Sequence, residues 1–116
     1  MGIAAENTHR YSSVSAIRMC YWNIHGWSSK LIGDKLNDDE FLGEILSYDI
    51  VALAELHAEK QLSLPGFLNI KQKIRTKTHK GPKISGGIAI FIKSKYKDII
   101  EPIPNKNPDS IWITMG

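Results

Sequence analysis

A chain of 116 residues, 42% of them apolar, with three tryptophans and a net charge of +3, is sized for one domain with a packed core and excludes wholesale disorder. Its one cysteine excludes an intrachain disulfide framework and a cysteine-based zinc cluster. No apolar run approaches the ~20 residues of a membrane helix, and residues 1–15 lack the charged-then-apolar pattern of a leader. The expected setting is therefore intracellular, nuclear or cytoplasmic, with no membrane partner.

In chain order, residues 1–15 show no hydrophobic period and are expected to form a flexible arm, leaving 16–116 as the folded part. Residues 16–23 are rich in aromatic and β-forming side chains and predict a strand ending at Asn23. Cys20 falls inside that strand, where a small buried hydrophobe is the expectation. Gly26 suits a turn of positive φ or a close approach to a ligand. Residues 27–37 predict a polar connection. Asn37 or Asp38 can cap a helix, with Asp38, Asp39 and Glu40 where the helix dipole favours anions and Phe41, Leu42, Ile45 and Leu46 forming one apolar stripe. That helix is expected to end by Ser47 or Tyr48.

Residues 50–54 are apolar at every position, which predicts a strand covered on both faces and ending on the carboxylate of Glu55. Strand, helix and apolar strand make a βαβ pattern, and a crossover of this length makes the two strands parallel. Asn23 and Glu55 are then expected at one edge of the sheet, where open α/β sheets place ligands. Pro65 and Gly66 mark a turn. Residues 67–78 predict an extended segment whose Lys71, Lys73, Arg75 and Lys77 share one basic face. A loop over 79–83, a strand over 88–92, a further strand near 96–101, a loop punctuated by Pro102, Pro104 and Pro108, and a last strand over 110–116 complete the expected elements.

Between Lys60 and Lys97 there is no Asp or Glu, and that stretch holds ten of the fifteen basic residues. A block of one sign points to a polyanionic partner, nucleic acid first, or to a solvated lysine-rich surface.

Trp22-Asn23-Ile24-His25-Gly26, then Ala54-Glu55-Leu56-His57, then Gly86-Gly87-Ile88-Ala89-Ile90, in this order, resemble the N-terminal half of the endonuclease/exonuclease/phosphatase (DNase-I-like) superfamily. Within it the chain looks most like the endonuclease domains of LINE-type, non-LTR retrotransposons. The resemblance spans residues 17–113 and implies an α/β fold, the N-terminal half of a four-layer α/β/β/α sandwich with a mixed sheet and a βαβ start. It implies that Glu55 holds a divalent cation, Mg²⁺ or Mn²⁺, and that Asn23 orients the carboxylate and the scissile phosphate. A hard cation held by one carboxylate, waters and substrate phosphate is chemically adequate, and an amide both donates and accepts without adding charge. His25 and His57 are candidates to contact the substrate, with a surface or backbone-bonding role open for His25 and a place behind Glu55 or a structural role open for His57, and the basic block adds Lys71, Lys73 and Arg75 as candidate DNA contacts. Trp27 has two uses open to it, stacking on a base or anchoring its loop by packing, and packing is the commoner.

The chain departs from the family in one respect. The family's Asp-x-Asn and Ser-Asp-His motifs, the second of which activates water, do not occur; Asp109-Ser110 is followed by Ile111. The expectation is a domain of Mg²⁺-dependent DNA endonuclease type, truncated and inactive as this fragment. Two alternatives stand beside it: a non-enzymatic fragment that only binds nucleic acid, and a phosphodiesterase or phosphatase acting on phosphoinositide or sphingomyelin. Half a sandwich is also expected to leave an apolar sheet face and open edges exposed, a route to self-association.

Overall fold

Five consecutive apolar residues cannot be exposed on either side without loss, and they become the buried centre of the molecule. A computed structural model describes residues 16–29, 31, 33–74, 86–107 and 110–116. The strands among these residues are β1 (Met19–Asn23), β2 (Ser28–Ser29), β3 (Gly33–Asp34), β4 (Ile50–Ala54), β5 (Phe67–Lys73), β6 (Ile88–Lys93), β7 (Ile100–Ile103) and β8 (Trp112–Met115), with a 3₁₀ turn (Lys35–Asn37) and one α-helix, α1 (Asp39–Ile45), between β3 and β4. The main sheet has the order β1-β4-β6-β5, and all five residues of β4 are buried. The protein is thus a small mixed α/β domain built on a mixed four-stranded sheet.

Strand β1 runs parallel to β4 in the register Met19 to Ile50 through Asn23 to Ala54, as the βαβ pattern predicts. Pairing starts at Met19 rather than Ala16, because Arg18 is already engaged: its N–H donates to Asp49 Oδ2 (2.9 Å) and its carbonyl accepts from Asp49 and Ile50. Strand β6 pairs antiparallel with both β4 and β5, so β5 runs in the direction of β4.

The expected cap is in place at α1. Asp38 Oδ1 accepts from the Phe41 N–H (3.1 Å), and Asp39 and Glu40 fill the first turn. The helix buries Phe41 and Ile45 against Val51, Leu53, Ala89 and Phe91 on one face of the sheet. Each fully buried Val, Leu or Phe there contributes about 1.5–3 kcal/mol.

The opposite face carries Ile50, Ala52, Ile90 and Ile92, and it is not uncovered as expected. It packs against Tyr96 and Ile100, flanked by Ile111 and Ile113, so the β7–β8 ribbon closes over it. Large apolar side chains remain exposed at several places, among them Leu31, Tyr21 and Leu46, and on the ribbon itself Ile103 stands opposite Trp112, 62% exposed.

Three further expectations change. The expected strand over 96–101 is a 3₁₀ turn (Ser94–Tyr96) followed by β7. Pro102 lies inside β7 rather than in a loop; a two-stranded ribbon tolerates the missing N–H. The polar connection after Trp27 folds into the short hairpin β2–β3. The arm over 1–15, and Arg75, Lys77 and the 79–83 loop, lie outside the described residues.

Candidate functional site

The parallel pairing of β1 and β4 brings Asn23 and Glu55 to one rim. Asn23 is level with Ala54, one residue before Glu55. The chains leaving both strands are then stitched together: Ile24 N–H donates to Ala54 O (3.0 Å), Gly26 N–H to Glu55 O (2.8 Å) and Trp27 N–H to Leu56 O (2.8 Å). The other side of the β4 exit is held by β6, with Leu56 N–H donating to Gly87 O (3.3 Å) and His57 N–H to Gly86 O (2.9 Å).

The backbone at this rim is strained. His25, Glu55 and His57 have φ of 53°, 57° and 51°, and they are the only non-glycine residues with positive φ among those described. Such conformations cost on the order of 1–3 kcal/mol each and gather at functional sites. Asn23 offsets part of the strain at His25, because its Oδ1 accepts from the His25 N–H (3.1 Å). No spacing rule flags this feature, since only glycine signals positive φ from sequence.

Glu55 Oε1 lies 3.1 Å from His57 Nε2, and the two side chains are 44% and 35% exposed. A half-exposed carboxylate, at a rim that also carries Asn23, fits a hard cation that keeps most of its waters. No three His, Cys, Asp or Glu side chains gather to hold a metal among the described residues, so any ion here would depend on water or a ligand for the rest of its shell.

Next to this rim an open hollow of about 360 Å³ runs from His25 and Gly26 past Ser28 and Ser29 to Lys35. Its outer wall is the β2–β3 hairpin. Asp34 there accepts from Ser28 Oγ (2.7 Å) and Lys60 Nζ (3.1 Å). These two hydrogen bonds, the Ser28 hydroxyl first, hold the Asp34 carboxyl below its ordinary value of 3.8. A depressed carboxyl stabilises the fold above its ordinary value and loses that contribution as pH falls through its folded value. We expect the Asp34 carboxyl to titrate below pH 3.8, with the Ser28 and Gly33 amides shifting alongside it in an NMR titration.

Trp27 is 2% exposed and meets Phe41 edge-on at 6.4 Å, which leaves it packing its loop and not stacking on a base. Cys20 is half-buried in β1; burial, with the nearby Glu44 carboxylate, pushes its thiol up and makes it a poor nucleophile.

The basic residues divide. Lys71 and Lys73 stand opposite Ile90 and Ile88, so Lys73 ends β5 at the same rim as Glu55, two strands away. At a strand spacing of about 4.8 Å that is roughly 10 Å. Yet Lys73 Nζ is already taken, donating to Asn105 O (3.2 Å), Asn105 Oδ1 (2.7 Å) and Asn107 O (2.6 Å). Its role is to tie down the loop after β7, a contact 32 to 34 residues distant in sequence. Lys71 is exposed, and a bulge between Asn69 and Lys71 breaks the simple alternation.

No family model, curated protein or solved structure matches the chain.

Proposed function

We propose that the chain is a domain of endonuclease/exonuclease/phosphatase type, of the retrotransposon endonuclease kind, that binds a nucleic-acid phosphodiester through a divalent cation at Glu55. The observation that carries the reading is the meeting of Asn23 and Glu55 at one strained rim. Glu55 would hold the ion, and Asn23 would orient the phosphate. A cation bound there would polarise a phosphate oxygen and offset charge on the leaving oxygen. The β7–β8 ribbon over the second face of the main sheet is what the start of a second sheet would look like in a four-layer sandwich.

The same residues limit the activity. The 116 positions hold no Ser-Asp-His or Asp-x-Asn set, so no group among the named ones stands as general base. Binding, without cleavage by these residues alone, is the function proposed. The exposed Lys71 and the hollow leading to Lys35 offer positive charge to flanking phosphates.

The test is binding of a labelled DNA oligonucleotide with Mg²⁺ or with EDTA, beside a plasmid-nicking assay. Mg²⁺ normally weakens such binding by competing for phosphates. Here it is expected to tighten binding at least threefold, Glu55→Gln is expected to remove that gain, and the plasmid is expected to stay intact. Binding that Mg²⁺ weakens equally in both proteins would sink the proposal. Mg²⁺-dependent nicking lost in Glu55→Gln would show a working base and turn the reading from binding to catalysis.

A further inference from the structure

Glu55 and His57 are two residues apart, and in an extended strand they would project in the same direction roughly 7 Å from each other. Left-handed backbone at both positions instead folds the two side chains together, Oε1 to Nε2 at 3.1 Å. That separation is informative. Two donors about 2.1–2.2 Å from one cation lie about 3.0 Å apart when they are neighbours on an octahedron, and about 3.5 Å apart on a tetrahedron. The 3.1 Å separation is that of a hydrogen bond between the two, and it also lies close to the octahedral spacing, so both side chains can reach one ion with little change in their separation.

We propose that His57 is a direct nitrogen ligand, together with Glu55, of an octahedral first-row divalent ion, and that this pair makes the rim prefer such an ion to Mg²⁺. The inference rests on the reading of Glu55 as the cation's carboxylate. Imidazole adds affinity for ions from Mn²⁺ to Ni²⁺ and little for Mg²⁺, which favours oxygen. The backbone is held while the side chains adjust. The His57 N–H is fixed by Gly86 O and the Glu55 carbonyl by the Gly26 N–H. A β-carbon on Gly26 would lie 3.5 Å from His57 Nδ1, so the ring rests over bare backbone and its Nε2 edge stays turned to the carboxylate. Exchange of the hydrogen bond for a shared ion needs only reorientation of two half-exposed side chains, and their exposure admits the waters that complete the shell.

The experiment uses the 116-residue chain with Mn²⁺ as the probe, read by pulsed electron paramagnetic resonance for coupling to a bound ¹⁴N nucleus. The wild type is expected to show one imidazole coupling. His57→Asn, chosen because asparagine tolerates left-handed backbone, is expected to lose the coupling and bind Mn²⁺ about tenfold more weakly, on the scale of losing a group around a metal. Its Mg²⁺ affinity is expected to fall less than threefold. His57→Gln serves the same comparison if the asparagine variant does not fold. Mn²⁺ bound in a Glu55-dependent way without nitrogen coupling, or with a coupling that survives in the His57 variant, overturns this inference and leaves the proposed function standing. Mn²⁺ binding indifferent to Glu55→Gln removes the reading of Glu55 and the inference with it.

Discussion

Trp27→Ala is expected to cost the fold about 3–5 kcal/mol, the range for truncating a buried aromatic, seen as a large drop in the urea midpoint. Four connections meet at this residue. Its ring is buried in the main core and packs edge-on to Phe41 of α1. Its N–H donates to Leu56 O beyond β4, and its carbonyl accepts from Lys35 N–H at the far side of the β2–β3 hairpin, each at 2.8 Å. Its side chain also lies close enough to Asp34 to help hold that carboxyl down. A domain of this size has roughly 5–15 kcal/mol in all, so the variant should sit close to unfolding. Trp27→Phe, which keeps most of the packing, should lose clearly less than Trp27→Ala. A Trp27→Ala protein with a nearly unchanged midpoint would mean that the loop, and the rim it supports, is held some other way.

The parts of this fold that were legible beforehand are those whose cause is local. The five apolar residues of β4 could only be buried. Asn37 or Asp38 could cap a helix with acids in its first turn, and Asp38 is the one that does. The crossover length made β1 and β4 parallel, and from that step alone Asn23 and Glu55 came to one rim. What escaped depends on distant partners or on backbone signs that side-chain types do not announce. Strands β2 and β3 are two residues each, with no apolar alternation, and their visible anchor is Ser28 on Asp34. Lys73 looked like one of a basic row, but its three acceptors sit in a loop more than 30 residues later. The bulge between Asn69 and Lys71 disturbs a period of two that a residue count assumes constant. The covering of the second sheet face depends on Ile100 and Ile113, which a count of half a sandwich did not credit with reaching back over β4 and β6.

If the ion proposed above binds at the rim, the positive-φ positions tie its binding to the stability of the fold, and Gly87→Ala tests that tie. Gly87 has φ of 95°, and a β-carbon built on it lies 3.3 Å from the β-carbon of Leu56, a side chain with no exposed surface. Alanine therefore meets backbone strain on the order of 1–3 kcal/mol together with a contact that a buried leucine cannot relieve by rotating its far end. We expect a loss of about 2–4 kcal/mol, most of it from that strain, measured as a lower urea midpoint with an unchanged slope. Gly43→Ala is the control of opposite sign. That glycine is in α1 with nothing within 4 Å of a built β-carbon, so alanine there is expected to stabilise by about 0.5–1 kcal/mol. The functional arm discriminates further. Gly87 O accepts from Leu56 N–H, between the two residues proposed to hold the ion. If the rim depends on β6 for its shape, Gly87→Ala should weaken Mn²⁺ binding even at temperatures where it is fully folded, and Gly43→Ala should not. Equal Mn²⁺ affinity in the two folded variants would separate the strained backbone from the ion and leave the positive φ of Glu55 and His57 as a property of the turn alone.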